Sequence, residues 1–234
     1  MATGVTSLIS QELGSDWIAA THPALSADGR YVAFAAFTIA NFQGCAVALR
    51  DTVANTNRWV SGPANGLYCD GNASVSMSST GQFVGYNTDV LFSGGSTQDC
   101  GTYHGHATAC IPAFETNLGD GSTQLVSRDL EGGLAGGLSG VDGVSGDGRY
   151  VFAYSNADDI VQEPIEVGSC LLTCRFGMYV FDQQTKAVQV LKPPTPEYPE
   201  SYESVATAGM DEAGDRVAFV ACPSVCQWVY IWNR

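Results

Sequence analysis

Apolar and polar residues alternate over short stretches of this chain, and four of those stretches share one phrase. Ser26-Ala27-Asp28-Gly29-Arg30-Tyr31-Val32-Ala33-Phe34 reads as the end of one strand, a tight Asp-Gly turn, and a second strand of aromatic and β-branched residues. Looser copies run from Val75 through Gly81 to Tyr86, from Val144 through Gly148 to Tyr154, and from Ala208 through Gly214 to Phe219. Each copy places a glycine where the turn needs positive φ, a conformation that strains other residues. The turn glycines fall at 29, 81, 148 and 214, so the repeat is between 52 and 67 residues long. Units of that length, rich in strand signals, point to propeller blades rather than to the shorter coils of a solenoid.

The pattern predicts an all-β propeller of four four-stranded blades, forming a single domain over residues 1–234. Blade one takes His22–Ser26, Tyr31–Ala36, Cys45–Asp51 and Arg58–Gly62; blade two takes Ala73–Ser78, Phe83–Thr88, Ala107–Glu115 and Thr123–Asp129. Blade three takes Val141–Gly146, Tyr150–Ser155, Gly177–Gln183 and Ala187–Lys192. Blade four has Val205–Met210, Arg216–Ala221 and Gln227–Asn233, one strand short. Val5–Ser10 is the expected fourth strand, completing the last blade in cis or in trans with a neighbouring subunit, since an unpaired edge invites association.

The Ser-x-Asp-Gly-Arg-Tyr-Val-Ala-Phe phrase resembles the PD40 (WD40-like) repeat of TolB-like β-propellers, as do Asn156–Val161 and Met178–Asp182. The similarity covers nearly the whole chain and is strongest in blades one and three. Blade two departs from it, with Ser-Thr-Gly for Asp-Gly and a long insertion. Propellers of this kind usually have six or more blades, so four copies either leave the ring unclosed or imply a ring built from several chains.

Hydrophobic residues make up 45% of the chain and charged residues 15%, which fits a globular protein. A net charge of −14 opposes approach to nucleic acid and to anionic membranes, and no apolar run nears the ~20 residues of a membrane span. No leader peptide is visible ahead of residue 5, so an exported form would be a mature one. Eight cysteines in an acidic, lysine-poor chain nevertheless suggest an oxidising, extracytoplasmic compartment: secreted, periplasmic or at the cell surface. In the blade scheme all eight fall on or near one face. The expected bridges are Cys45–Cys69, Cys100–Cys110, Cys170–Cys174 and Cys222–Cys226. The Cys-x-x-x-Cys spacing is not that of a zinc knuckle, and no cofactor is expected.

Candidate binding residues share that loop face: Trp17, Tyr68, Tyr103, His104, His106, Tyr198 and Tyr202. Aromatic side chains on rigid loops anchor protein partners and also sugar rings. Asp158 and Asp159 are the weak candidates for a calcium site, without EF-hand spacing, and no metal is otherwise expected. No Gly-x-Ser-x-Gly elbow, Walker loop or His-Glu-x-x-His motif occurs, so no catalytic residue is assigned. The leading expectation is a non-enzymatic, disulfide-stabilised scaffold for binding or self-assembly. It would work through the cysteine-rich face or the terminal strand, with a protein, another copy of itself, or a glycan as partner. The alternative is a propeller glycosidase or lyase, or a lectin, with its site in the loops over the central channel.

Overall fold

A computed structural model describes residues 4, 6–10, 13, 17–38, 45–61, 74–87, 99–103, 106–109, 111–162, 176–191, 204–222 and 228–234. These form an all-β propeller of four blades. Blade one is the sheet β1 (Trp17–Leu25), β2 (Tyr31–Thr38), β3 (Cys45–Asp51), β4 (Thr56–Trp59), paired in that order. Blade two comprises β5 (Val75–Met77), β6 (Phe83–Asn87), β9 (Ala113–Asn117) and β10 (Thr123–Leu125); a separate hairpin, β7 (Asp99–Tyr103) with β8 (His106–Ala109), interrupts it. Blade three is β11 (Ser139–Val144), β12 (Tyr150–Ser155), β13 (Gly177–Asp182) and β14 (Val188–Val190). Blade four is β15 (Ser204–Met210), β16 (Arg216–Cys222) and β17 (Trp228–Asn233).

The turn phrase explains why each blade starts as it does. Gly29, Gly81, Gly148 and Gly214 have φ between 69° and 72°. In blades one to three the glycine N–H donates to the carbonyl of the serine three residues before it, Ser26, Ser78 or Ser145. In blades one and three the serine Oγ accepts the N–H that opens the second strand (Tyr31, 2.9 Å; Tyr150, 2.9 Å) and donates to the turn aspartate (Asp28, 2.6 Å; Asp147, 2.8 Å). Blade four has Asp211 in the serine's place, and its Oδ1 accepts the Asp215 and Arg216 N–H groups instead.

The same glycines lock one blade onto the next. A Cβ added at Gly81 would lie 2.8 Å from the Tyr31 ring, at Gly148 2.4 Å from Phe83, and at Gly214 2.6 Å from Tyr150. The aromatic residue that opens the second strand of one blade thus lies flat beneath the turn of the following blade. Backbone groups cross the same junctions: Ala27 N–H donates to Ser79 O (2.9 Å) and Gly146 N–H to Glu212 O (2.7 Å). Apolar clusters fill the interfaces behind the turns. Ala33, Val47 and Leu49 meet Val84, Tyr86 and Phe114; Ala113 and Val126 meet Val141, Val151 and Tyr179; Phe152 and Val180 meet Val217 and Phe219.

Two expectations differ from what forms. Residues 107–115 are not one strand, because 106–109 turn back on 99–103 as a hairpin and the blade resumes at Ala113. The fourth sheet has three strands among the described residues, and residues 6–10 lie outside any strand. Ile9 and Leu13 instead pack on the outer face of blade one, against Val32, Phe34, Ala36 and Ala48, and Asn57 Nδ2 donates to Ile9 O (3.5 Å). Ile9 thus finds an apolar face on blade one, while its neighbour Leu8 is 66% exposed.

Gly29 differs from its three counterparts, since among the described residues nothing lies within 4 Å of a Cβ there. Alanine at Gly29 should therefore cost only the left-handed backbone penalty of about 1–2 kcal/mol. Alanine at Gly148 or Gly214 should add an overpacking cost of a further ~1–3 kcal/mol. Chemical denaturation of the three variants tests this; equal losses at all three sites would remove the ring contact from the account.

Candidate interaction surface

Strand alternation in blade four sorts its side chains onto two faces. Val217 and Phe219 of β16 are buried against blade three, with Tyr230 and Trp232 of β17 packed beside them. Phe219 stacks on Tyr230 at 5.4 Å and on Phe152 of blade three at 6.4 Å. The opposite face carries Arg216, Ala218, Val229 and Ile231, all exposed, with Ala218 opposite Ile231 and Val220 opposite Val229. Val229 and Ile231 are 74% and 67% exposed.

No described strand pairs with the outer edge of β17, and Trp228–Asn233 contains no charge and no proline. Edge strands are usually guarded by such residues or by bulges, so this edge is unusually ready to pair.

The other end of the arc is also apolar. Leu25 pairs with Val32, which places both on the outer face of blade one, and Leu25 is 61% exposed. Leu8, beside the segment that covers the rest of that face, is 66% exposed. Four of the six large exposed hydrophobic residues among those described therefore sit at the two open ends.

Of the residues expected to bind from sequence, three have a described backbone position. Trp17 opens β1, while Tyr103 and His106 face each other as the last pair of the β7–β8 hairpin; the side chains of all three lie outside the described residues. Tyr68, His104, Tyr198 and Tyr202 lie outside them altogether, as do the side chains of all eight cysteines. Asp159 plays a structural part, since both its carboxylate oxygens accept the Gly136 N–H (3.0 and 2.9 Å) and so tie the blade two–three link to the end of β12. Asp158 is exposed, and among the described residues no three His, Cys, Asp or Glu side chains gather as metal ligands. A cavity of about 120 Å³ lies beside Tyr150, Asp182 and Arg234. Arg234 stacks on the Tyr150 ring at 3.9 Å and bonds Asp215, closing the end of blade four onto blade three.

No family model and no curated protein matches the chain. Among solved structures, TolB from Acinetobacter baumannii is similar with a TM-score of 0.55 at 16% identity, over 92% of this chain and 41% of that one. The fold is that of a TolB-like β-propeller. A putative TolB from Agrobacterium tumefaciens also aligns, with a TM-score of 0.46, 11% identity, and 93% and 59% coverage. The corresponding values for a prolyl endopeptidase are 0.48, 16%, 86% and 24%. The chain thus spans less than half the length of the A. baumannii TolB. No helix among the described residues is long and apolar enough to cross a membrane.

Two buried carboxyls within this TolB-like fold were not legible as special. Glu115 of β9 is 1% exposed; one oxygen accepts from Gln124 Nε2 (2.8 Å), whose own Oε1 accepts from Lys186 Nζ (3.3 Å), and Oε1 of Glu115 has no described partner. Burial pushes its pKa up to about 7. Asp142, at the β11 bulge, is likewise pushed up to about 6 by burial. In contrast, the Arg149 guanidinium holds the Asp182 carboxyl well below the usual carboxylate range.

The folded-state rise at Glu115 and Asp142 means that stability is greatest while both stay protonated. It is lost as pH rises from the unfolded-state values near 4 through about 7. The depressed Asp182 acts oppositely, losing its contribution as pH falls below the ordinary carboxylate range. Thermal melting should therefore peak between about pH 4 and 5. Glu115→Gln should flatten the decline between about pH 5 and 8, which for a shift of this size is on the order of 3 kcal/mol. The same slope in variant and parent would contradict this role for Glu115.

Proposed function

We propose that this protein is a non-catalytic interaction scaffold that binds through the open ends of its blade arc, chiefly the outer face and edge of blade four. The observation that carries this reading is the pair Val229 and Ile231, two large exposed aliphatic side chains beside an uncharged strand edge that no described strand pairs with. Contiguous exposed apolar surface of this kind marks interaction sites. A free strand edge adds main-chain hydrogen bonds to whatever extended segment meets it. The blades behind it form a rigid support, because three successive interfaces are filled by buried side chains and crossed by backbone bonds.

The working compartment in this proposal is extracytoplasmic, supported by the cysteine content and the TolB-like fold. The loop face is pinned by the bridges Cys45–Cys69, Cys100–Cys110, Cys170–Cys174 and Cys222–Cys226. Non-reducing peptide mapping should recover these four pairs; free thiols or other pairs would overturn the assignment.

The scaffold reading itself is tested with Val229→Asp/Ile231→Asp. Both side chains already face solvent, so the variant should keep the parental circular dichroism spectrum and melt within a few degrees of it. After mild crosslinking in native extract, the parent should retain one or more protein species that the variant loses. Identical retention by the two proteins would exclude this face as the binding surface.

A further inference from the structure

The three sealed junctions follow one rule, and applying it to the two open ends indicates what each is shaped to meet. At each junction, the residue two places after a turn glycine lies under the turn glycine of the next blade: Tyr31 under Gly81, Phe83 under Gly148, Tyr150 under Gly214. In blade four that position is Arg216, which is exposed, and the one turn glycine with nothing against it is Gly29 of blade one. Beside Gly29 is Asp28, also exposed, with its carboxylate turned to Ser26 Oγ (2.6 Å) and the Arg30 N–H (3.0 Å). One further step of the repeat would bring a cation onto a turn that carries an anion. Behind the turn, the same step would bring Val229 and Ile231 towards Leu25 and Leu8, so apolar surface on one end meets apolar surface on the other.

We propose that the occupant of the blade-four face is a second copy of this chain, docked head to tail, so that blade four of one protomer continues into blade one of its partner. The proposal rests on the scaffold reading above and names the partner for that surface. The contact is heterologous: two different patches meet, and an open assembly keeps one of each unused, at its two ends, until it closes. A closed ring gives one discrete size, whereas an open chain gives a concentration-dependent series. Ile9 and Leu13 already cover Val32, Phe34, Ala36 and Ala48 of the blade-one face, so the contact is made there through the exposed Leu8 and Leu25. The arginine replaces a planar stacking contact with a charge pair, which suits a junction formed between separate chains, where electrostatic complementarity sets register.

The test is complementation between two variants, read by sedimentation velocity over a range of concentrations. The parent should sediment as a dimer or larger species. Ile231→Asp, which spoils only the blade-four end, and Leu25→Asp, which spoils only the blade-one end, should each sediment as a monomer. An equimolar mixture should restore a single dimer species, because each variant retains the end the other lacks. As a milder pair that leaves the apolar contacts intact, Arg216→Asp and Asp28→Arg should each weaken assembly by about tenfold, and the double charge reversal should recover it. If Ile231→Asp dissociates the protein while Leu25→Asp has no effect, the contact joins two blade-four faces and the head-to-tail arrangement is wrong. A monomeric parent would also overturn the second-copy assignment. Should that monomer still retain another protein through Val229 and Ile231, the scaffold reading stands with a different occupant; should it retain none, both readings fail.

Discussion

The architecture depends on an aromatic ring lying against a glycine of the neighbouring blade. Gly81, Gly148 and Gly214 are needed twice over, once for a φ near 70° and once because a side chain there would strike Tyr31, Phe83 or Tyr150. A blade sheet buries neither face by itself, and its apolar residues find cover only against neighbouring sheets. The glycine contact lets two turns approach closely enough for backbone bonds such as Gly146 to Glu212 to form across the junction. Close packing then extends outward from the turns into clusters led by Tyr86, Tyr179 and Phe152.

Among the described residues, no such contact joins blade four to blade one. Gly29 has no ring against it, blade four offers Arg216 in place of one, and the two end faces carry exposed Leu8, Leu25, Val229 and Ile231. Ile9 and Leu13 cover part of blade one, and among the described residues no N-terminal strand joins blade four. Function on this view is a consequence of incompleteness: the forces that hold three junctions together have unsatisfied counterparts at the ends. The buried carboxyls Glu115 and Asp142 set a second property of the same fold, since each must lose a proton in a poorly solvated place as pH approaches neutrality.

Most of the fold was legible because the turn phrase couples a conformational demand to a residue type. A glycine that must take positive φ, followed by alternating aromatic and β-branched residues, locates two strands at once, and the four copies located four blades. Tyr230 and Trp232, two residues apart on the last strand, share the face that packs against blade three. The insertion in blade two misled the reading, because His106–Ala109 has the composition of a blade strand while its pairing partner, Asp99–Tyr103, sits in a stretch rich in loop residues. Val5–Ser10 was assigned by what blade four lacked, whereas Ile9 and Leu13 respond to the nearest apolar face. The candidate surface itself was within reach: Arg216 breaks the series Tyr31, Phe83, Tyr150, a signal readable by aligning the four phrases. Burial of Glu115 was not readable, since its neighbours across the blade interface are distant in sequence.

The central claim is that ring and glycine pack directly against each other, and a double-mutant cycle on Phe83 and Gly148 tests it most directly. Gly148→Ala, Phe83→Ala and the double variant would be compared by denaturant unfolding. Removing the ring opens the space that the new methyl group needs, so alanine at 148 should cost less in the Phe83→Ala background, with a coupling of about 1–2 kcal/mol. Additive losses, within about 0.5 kcal/mol, would show that the two residues do not share the junction and would contradict the account.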